Sequence, residues 1–382
     1  MAYNGYKVFD ADLHVFEPVD LWQRYIEPKY RDQAPVGSDT YFPDMNLMHA
    51  GEYISRSGKI PVMEGGDFSE TLVTEHGGME KYRQYAKRNW APDTQIEAMD
   101  DEGIDKAVLF PTRGFYAIGK EYSDDSLAAA IARAYNNWLV EYCSQAPDRM
   151  YGCGLVAPQS IEMSIAEVKR MKQELGFKAV FLRPNPVRGR NWHDPAYDPL
   201  WAEIEKQGLA IGFHEGWPSK LPVAVGERFD GRNEDLWMTE HVACHPVEAM
   251  YASLCFIMGG ILERFPGLRV GFLESNCSWA PYWIWRMDEH YEHREKVIKK
   301  KMPLTPREYF KRQCYVSIEA EETLGKTFVD HVSEDNLVFS TDFPHEDSRY
   351  PHSLETFDEL PLTKDVKRKV LWDNCARLYQ IQ

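Results

Sequence analysis

The 382-residue sequence predicts an α/β fold, a distorted (β/α)8 barrel with long insertions after strands one and five. Three observations carry this expectation. Short apolar runs and helical periods alternate strand-then-helix eight times along the chain. Glycine-containing turns ("DDEGIDK", "ELGFKA", "KQGLAI", "RFPGLRV") separate helices from following strands, as left-handed caps do. No glycine-rich phosphate loop follows the first strand, which argues against an open doubly wound sheet. Nor does any unit of solenoid length recur.

In order, the first strand is "YKVFDADLH", and its helix near Thr94–Glu102 comes only after a long excursion. "IDKAVLFP" from Ile104 precedes a helix near Ser126–Ala146, and "MYGCGLVAP" from Met150 precedes one near Ile161–Leu175. "KAVFLRP" from Lys178 leads to a helix near Pro199–Gln207, and "LAIGFHEG" from Leu209 to one near Pro246–Phe265. "RVGFLES" from Arg269, "CYVSIEA" from Cys314 and "NLVFSTDFPH" from Asn336 complete the set. Their helices are near Trp279–His293, Glu322–His331 and Lys364–Tyr379. The insertions cover about 23–93 and 217–244, and barrel insertions after strands form lids or substrate walls. The whole of 1–382 reads as one domain.

Composition narrows the function. A chain that is 43% hydrophobic and 13% aromatic builds a large core. A net charge of −16 argues against nucleic acid or an anionic membrane surface as partner. Seven cysteines without a C-x-x-C pair point to reduced thiols and a cytoplasmic setting. The first residues lack a signal-peptide pattern, and no apolar run is long enough to span a bilayer.

Ionisable residues gather at the strand ends, where barrel enzymes keep their sites. Asp12 and His14 alternate onto one face of the first strand, and Glu17 lies just beyond. His214 ends the fifth strand, Glu274 the sixth, Glu319 the seventh and Asp342 the eighth, with His345 and Glu346 following. Buried charges need a partner, and imidazole with carboxylate suits a divalent ion such as zinc, manganese or iron. Asp12, His14, His214 and Asp342 are the expected ligands, with Glu17, His245 and Glu274 as additional candidates. Arg113 and Arg183 follow strands two and four and are candidates to bind a substrate carboxylate. Phe115, Tyr116, Trp192, Trp217 and Trp279 are candidate walls, and Cys277 reads as a buried thiol.

These motifs, with "GILERFPGLRVGFLES", "FSTDFPHED" and "VLWDNCARLY", resemble the amidohydrolase superfamily. More narrowly, the sequence is similar to the amidohydrolase-related branch of aminocarboxymuconate-semialdehyde decarboxylase and the resorcylate-type decarboxylases. The resemblance implies a divalent metal, often zinc or manganese, ligands at Asp12, His14, His214 and Asp342, and a homodimer. Decarboxylases of that branch usually carry a histidine at the end of strand six, where this chain has Glu274.

The expected function is a metal-dependent enzyme acting on a small carboxylated, aromatic or otherwise organic, acid. In decarboxylation Glu274 or His245 moves the proton; in hydrolysis Asp342 takes a proton from water. The rival reading is a dinuclear non-haem iron oxygenase on the same barrel. A scaffold without catalysis is disfavoured by retention of all four core ligands.

Overall fold

The computed structural model describes residues 3–37, 47–54, 81–215, 224–225, 237–345 and 347–381. Eight parallel strands form its centre: β1 (Phe9–His14), β2 (Lys106–Phe110), β3 (Met150–Leu155), β4 (Ala179–Leu182), β5 (Ala210–His214), β6 (Arg269–Leu273), β7 (Cys314–Ile318) and β8 (Leu337–Phe339). Each pairs with the next in sequence. Between β8 and β1 the ring is drawn together by single bonds instead of a ladder. Ser340 Oγ donates to the Asp12 carbonyl at 3.2 Å, and the His14 N–H to the Phe343 carbonyl at 2.7 Å. The result is a nearly closed α/β barrel.

The register locates the site. Asp10 faces Ala107 while Leu13 faces Leu109, so β1 carries one extra residue there. Such a bulge re-aims side chains at a barrel rim, and here it falls beside Asp12. Gly212 on β5 is small because a Cβ would meet the Phe110 ring at 2.7 Å. Phe110 thereby plugs the barrel beneath His214, its ring centroid 6.0 Å away.

Helices α1 (Pro92–Glu102), α2 (Asp125–Cys143), α3 (Ile161–Arg170), α4 (Asp198–Gln207), α5 (Trp237–Ile257), α6 (Ala280–Ile298) and α7 (Gly325–His331) connect the strands. In α2, Leu127, Ile131, Tyr135, Trp138 and Leu139 are buried at helical spacing, and the Asp124 carboxylate caps its start. The final helical stretch runs Lys364–Arg368, Lys369–Asp373 and Asn374–Tyr379, the middle one a wider π turn. Gly103, Gly176 and Gly208 end helices with φ of 84°, 69° and 65°, as the turn signals predicted. Gly267 does not share that conformation; its N–H donates to Glu205 at 2.6 Å.

One helix begins earlier than expected. The sequence places its start near Pro246, yet α5 begins at Trp237 and holds Pro246 inside. The bond that proline cannot donate would go to the Val242 carbonyl, and Val242 is exposed, so water can satisfy it. Part of the second insertion is therefore helical. In the first, Val36–Gly37, Leu47–His49 and Glu52–Tyr53 form an antiparallel ribbon. Its return buries Tyr82 and Tyr85 against Phe343 and Tyr350, over the loop that follows β8.

Candidate metal centre

Four strand ends deliver the centre of the pocket. His14 Nε2 lies 3.2 Å from His214 Nε2, 3.4 Å from Asp12 Oδ1 and 3.1 Å from Asp342 Oδ1. His214 Nε2 is also 3.2 Å from Asp12 Oδ2 and 2.9 Å from Glu274 Oε2. Atoms bound about 2.1 Å from one ion at tetrahedral or octahedral angles lie roughly 3.0–3.4 Å apart. One donor atom each from His14, His214, Glu274 and Asp342 fits inside a 4.8 Å span.

Hydrogen bonding tests whether a cation suits this set. His14 Nδ1 faces the Pro111 carbonyl at 2.7 Å and must donate to it, which leaves a lone pair on Nε2. Both Asp12 oxygens are buried without a hydrogen bond, and Asp342 Oδ1 meets only imidazole nitrogens, His345 Nδ1 at 2.9 Å and His14 Nε2 at 3.1 Å. Unpaired buried carboxylate oxygens are costly unless a positive centre meets them. The donor set therefore fits a divalent metal.

The electrostatics report the same crowding. Burial pushes the His14 imidazole well below its usual range, with His345 adding to the push. Burial alone would also lower His214, but Asp12 and Glu274 carry it up to about 10. Glu274 is held well below the carboxylate range because His245 and His214 outweigh its burial. Burial and the Glu274 charge raise Asp342, and His345 partly offsets them.

Glu274 and Asp342 share one further feature. Their φ values of 43° and 53° put both in left-handed backbone, which side-chain-bearing residues adopt at a cost of order 1 kcal/mol or more. Asp342 is braced by His345, whose Nδ1 lies 2.9 and 3.0 Å from its two oxygens. The His345 ring stacks on His14 with centroids 4.1 Å apart, and its Nε2 reaches Thr112 Oγ1 at 3.1 Å.

Other predicted residues sit around this pocket in distinct ways. His245 on α5 places Nε2 3.0 Å from Glu274 Oε1. Glu17 faces away, accepting from the backbone N–H groups of Thr112, Arg113 and Gly114 at 3.2, 2.7 and 2.9 Å. It caps the short helix Gly114–Gly119. Arg113 Nη1 donates to the Glu17 carbonyl. Arg183 pairs with Glu215 and donates to the Phe115 carbonyl at 3.2 Å. Phe115 is the wall residue the structure places at the centre, its ring stacked on His214 at 4.7 Å. Trp192 instead packs with Tyr197, Trp201 and Phe213. Tyr116 is wholly buried, and Trp279 packs on Phe272. The buried Cys277 donates its N–H to Glu322. Glu319 has its carboxyl pushed well up, by burial first and then by Asp342 and Glu274. Trp217 and Glu346 lie outside the described residues.

The sequence reading assigned no role to His241, Asp10 or Glu215. His241 stands four residues before His245 on α5, so the H-x-x-x-H spacing was an available signal. Asp10 accepts from Thr341 Oγ1 at 2.5 Å and from the Asp12 N–H at 3.0 Å, tying β8 to β1 behind the pocket. No short-range pattern marks that pair.

The amidohydrolase family model matches residues 9–381. The chain is 28% identical to 2-amino-3-carboxymuconate-6-semialdehyde decarboxylase of Dictyostelium discoideum, over 69% of both chains. It is 25% identical to gamma-resorcylate decarboxylase of a Polaromonas species, over 85% of this chain and 99% of that one. Among solved structures, 5-carboxyvanillate decarboxylase of Novosphingobium aromaticivorans, complexed with manganese, superposes with a TM-score of 0.67 at 21% identity. That match covers 98% of this chain and 96% of the other.

Proposed function

This chain belongs to the amidohydrolase family, and we propose that it is a metal-dependent decarboxylase of a small aromatic carboxylic acid. The observation that carries the reading is the set of buried carboxylate oxygens of Asp12 and Asp342 converging on the His14 and His214 nitrogens. Asp12, His14, His214 and Asp342 hold the cation, with zinc or manganese the best match to imidazole and carboxylate donors. A bound dication supplies positive charge that orients the substrate's carboxylate and a neighbouring oxygen.

The chain's own residues do the rest. Phe115 offers an aromatic face beside His214. Arg183, which pairs with Glu215, and Arg113, which donates to the Glu17 carbonyl, follow β4 and β2 and are the proposed partners of the substrate carboxylate. In the reaction the bond between ring carbon and carboxylate breaks, carbon dioxide leaves, and a proton replaces it on the same carbon. His245 and Glu274, 3.0 Å apart, supply that proton. This pair takes the place of the strand-six histidine of the resembling decarboxylases. The oxygenase reading is not favoured, since the relatives reported above are named as decarboxylases.

Unpaired cysteines at all seven positions support a reducing, cytoplasmic setting. Among the described residues no helix is long and apolar enough to cross a membrane. Exposed Tyr282 and Trp285 on α6 support a homodimer contact. The test is carbon dioxide release from a panel of hydroxybenzoates by protein loaded with Mn2+ or Zn2+. Release should require metal and vanish on chelation. Equal rates without metal, or ester or amide cleavage in place of carbon dioxide release, would overturn the reading.

A further inference from the structure

We propose that His241, His245 and Glu274 form a second, weaker divalent-cation site at the mouth of the pocket, a reading that rests on the first set holding its own cation. His241 and His245 are one turn apart on α5, so both rings leave the same helix face, with centroids 4.5 Å apart. The His245 Nδ1 faces the His241 carbonyl at 3.4 Å, which turns Nε2 toward Glu274. Glu274 Oε1 lies 3.0 Å from His245 Nε2 and 3.8 Å from His241 Nε2. Its other oxygen, Oε2, lies 2.9 Å from His214 Nε2. The carboxylate thus presents one oxygen to each group of imidazoles, the arrangement of a bridging ligand.

The three donor atoms fall within a 4.8 Å span, near the separation that bonds of about 2.1 Å to one ion require. Side-chain exposure rises from 0% at Asp12 through 12% at Glu274 to 28% at His241 and 57% at Asp347. Asp347 Oδ2, 3.8 Å from His241 Nε2, stands ready as a further oxygen donor. The outer site therefore faces solvent, has fewer protein donors and releases its ion more readily than the inner one. Two imidazoles and a carboxylate suit zinc. A cation there occupies the His245 nitrogen that proton delivery needs, so excess zinc inhibits.

The experiment titrates metal-stripped, full-length protein with Zn2+ by calorimetry, with elemental analysis after gel filtration. Two equivalents should bind, the second more weakly. His241→Ala should leave the first within about threefold and weaken the second by about tenfold or more. His241→Gln, which keeps size and polarity, should do the same. Zinc beyond the first equivalent should slow the wild type and, at the same concentration, spare His241→Ala. Saturation of the wild type at one equivalent overturns the outer site alone. So does retention of both equivalents, at unchanged affinity, in the two His241 variants. A wild type that binds no zinc, indistinguishable from His214→Ala, overturns the inner site as well.

Discussion

Asp12 and Glu17 leave the same strand end, and both are wholly buried, yet their surroundings are opposite. In the turn after β2, three backbone N–H groups point at the Glu17 carboxylate and fill its lone pairs. In the pocket, neither Asp12 oxygen has a hydrogen bond, and two imidazole nitrogens stand within 3.4 Å. Glu102 on α1 is intermediate. One oxygen accepts from the Leu354 N–H at 2.8 Å, while Oε2 is buried without a partner, and burial lifts the carboxyl to about 7. The lesson is that burial does not identify a ligand; the filling of lone pairs does. An unfilled oxygen must be met by a cation or a proton.

Substitutions should separate these carboxylates by their effects on metal and on the fold. The largest effect is expected for His214→Ala, which should lose bound metal and lower kcat/KM by about 10³-fold or more while the circular dichroism melt stays cooperative. Retained metal in that variant would dissolve the distinction between the two regions. Asp12→Asn should weaken metal binding by about 100-fold, read by competition with a chelator, without destabilising the metal-free protein. That second outcome separates it from Glu17, because an orphaned charge costs the fold energy when no cation is present.

Glu102→Gln tests the intermediate case through pH. The folded carboxyl is raised above its unfolded value, so its contribution is fully present below about pH 4.5 and is lost as pH rises through about 7. The variant should therefore gain on the wild type by about 2 kcal/mol between pH 5 and 7 in urea melts, and a pH-independent difference would contradict it. The smallest effect is expected for Glu17→Gln, about 1–2 kcal/mol of stability with metal affinity unchanged, since an amide group would replace one acceptor facing the backbone N–H groups.

Much of the barrel was legible because each strand and helix announces itself within a short window. The run ending at His14, the helix caps at Gly103, Gly176 and Gly208, and the return from Asn336 to Asp342 are all local signals. Where structure and expectation differ, a local rule met a tertiary exemption. Pro246 is a residue common at helix starts, but the exposed Val242 one turn earlier lets α5 run through it. Asp12 was an expected ligand and Glu17 an additional candidate, but what satisfies Glu17 was not legible, because its amides arrive from residues 112–114. His345 was visible at the rim, but its stacking on His14 depends on how the ends of β8 and β1 meet.

By itself, then, the sequence determined the alternation of elements and which strand ends carry imidazole or carboxylate, since these follow from periodicities of two and 3.6 residues and from residue chemistry. Only the tertiary structure decided which of those groups face one another. That choice depends on the bulge in β1, the left-handed backbone at Glu274 and Asp342, and the approach of α5. Each is set by packing between residues far apart in the chain, where a shift of an ångström turns a satisfied carboxylate into one that calls for a cation.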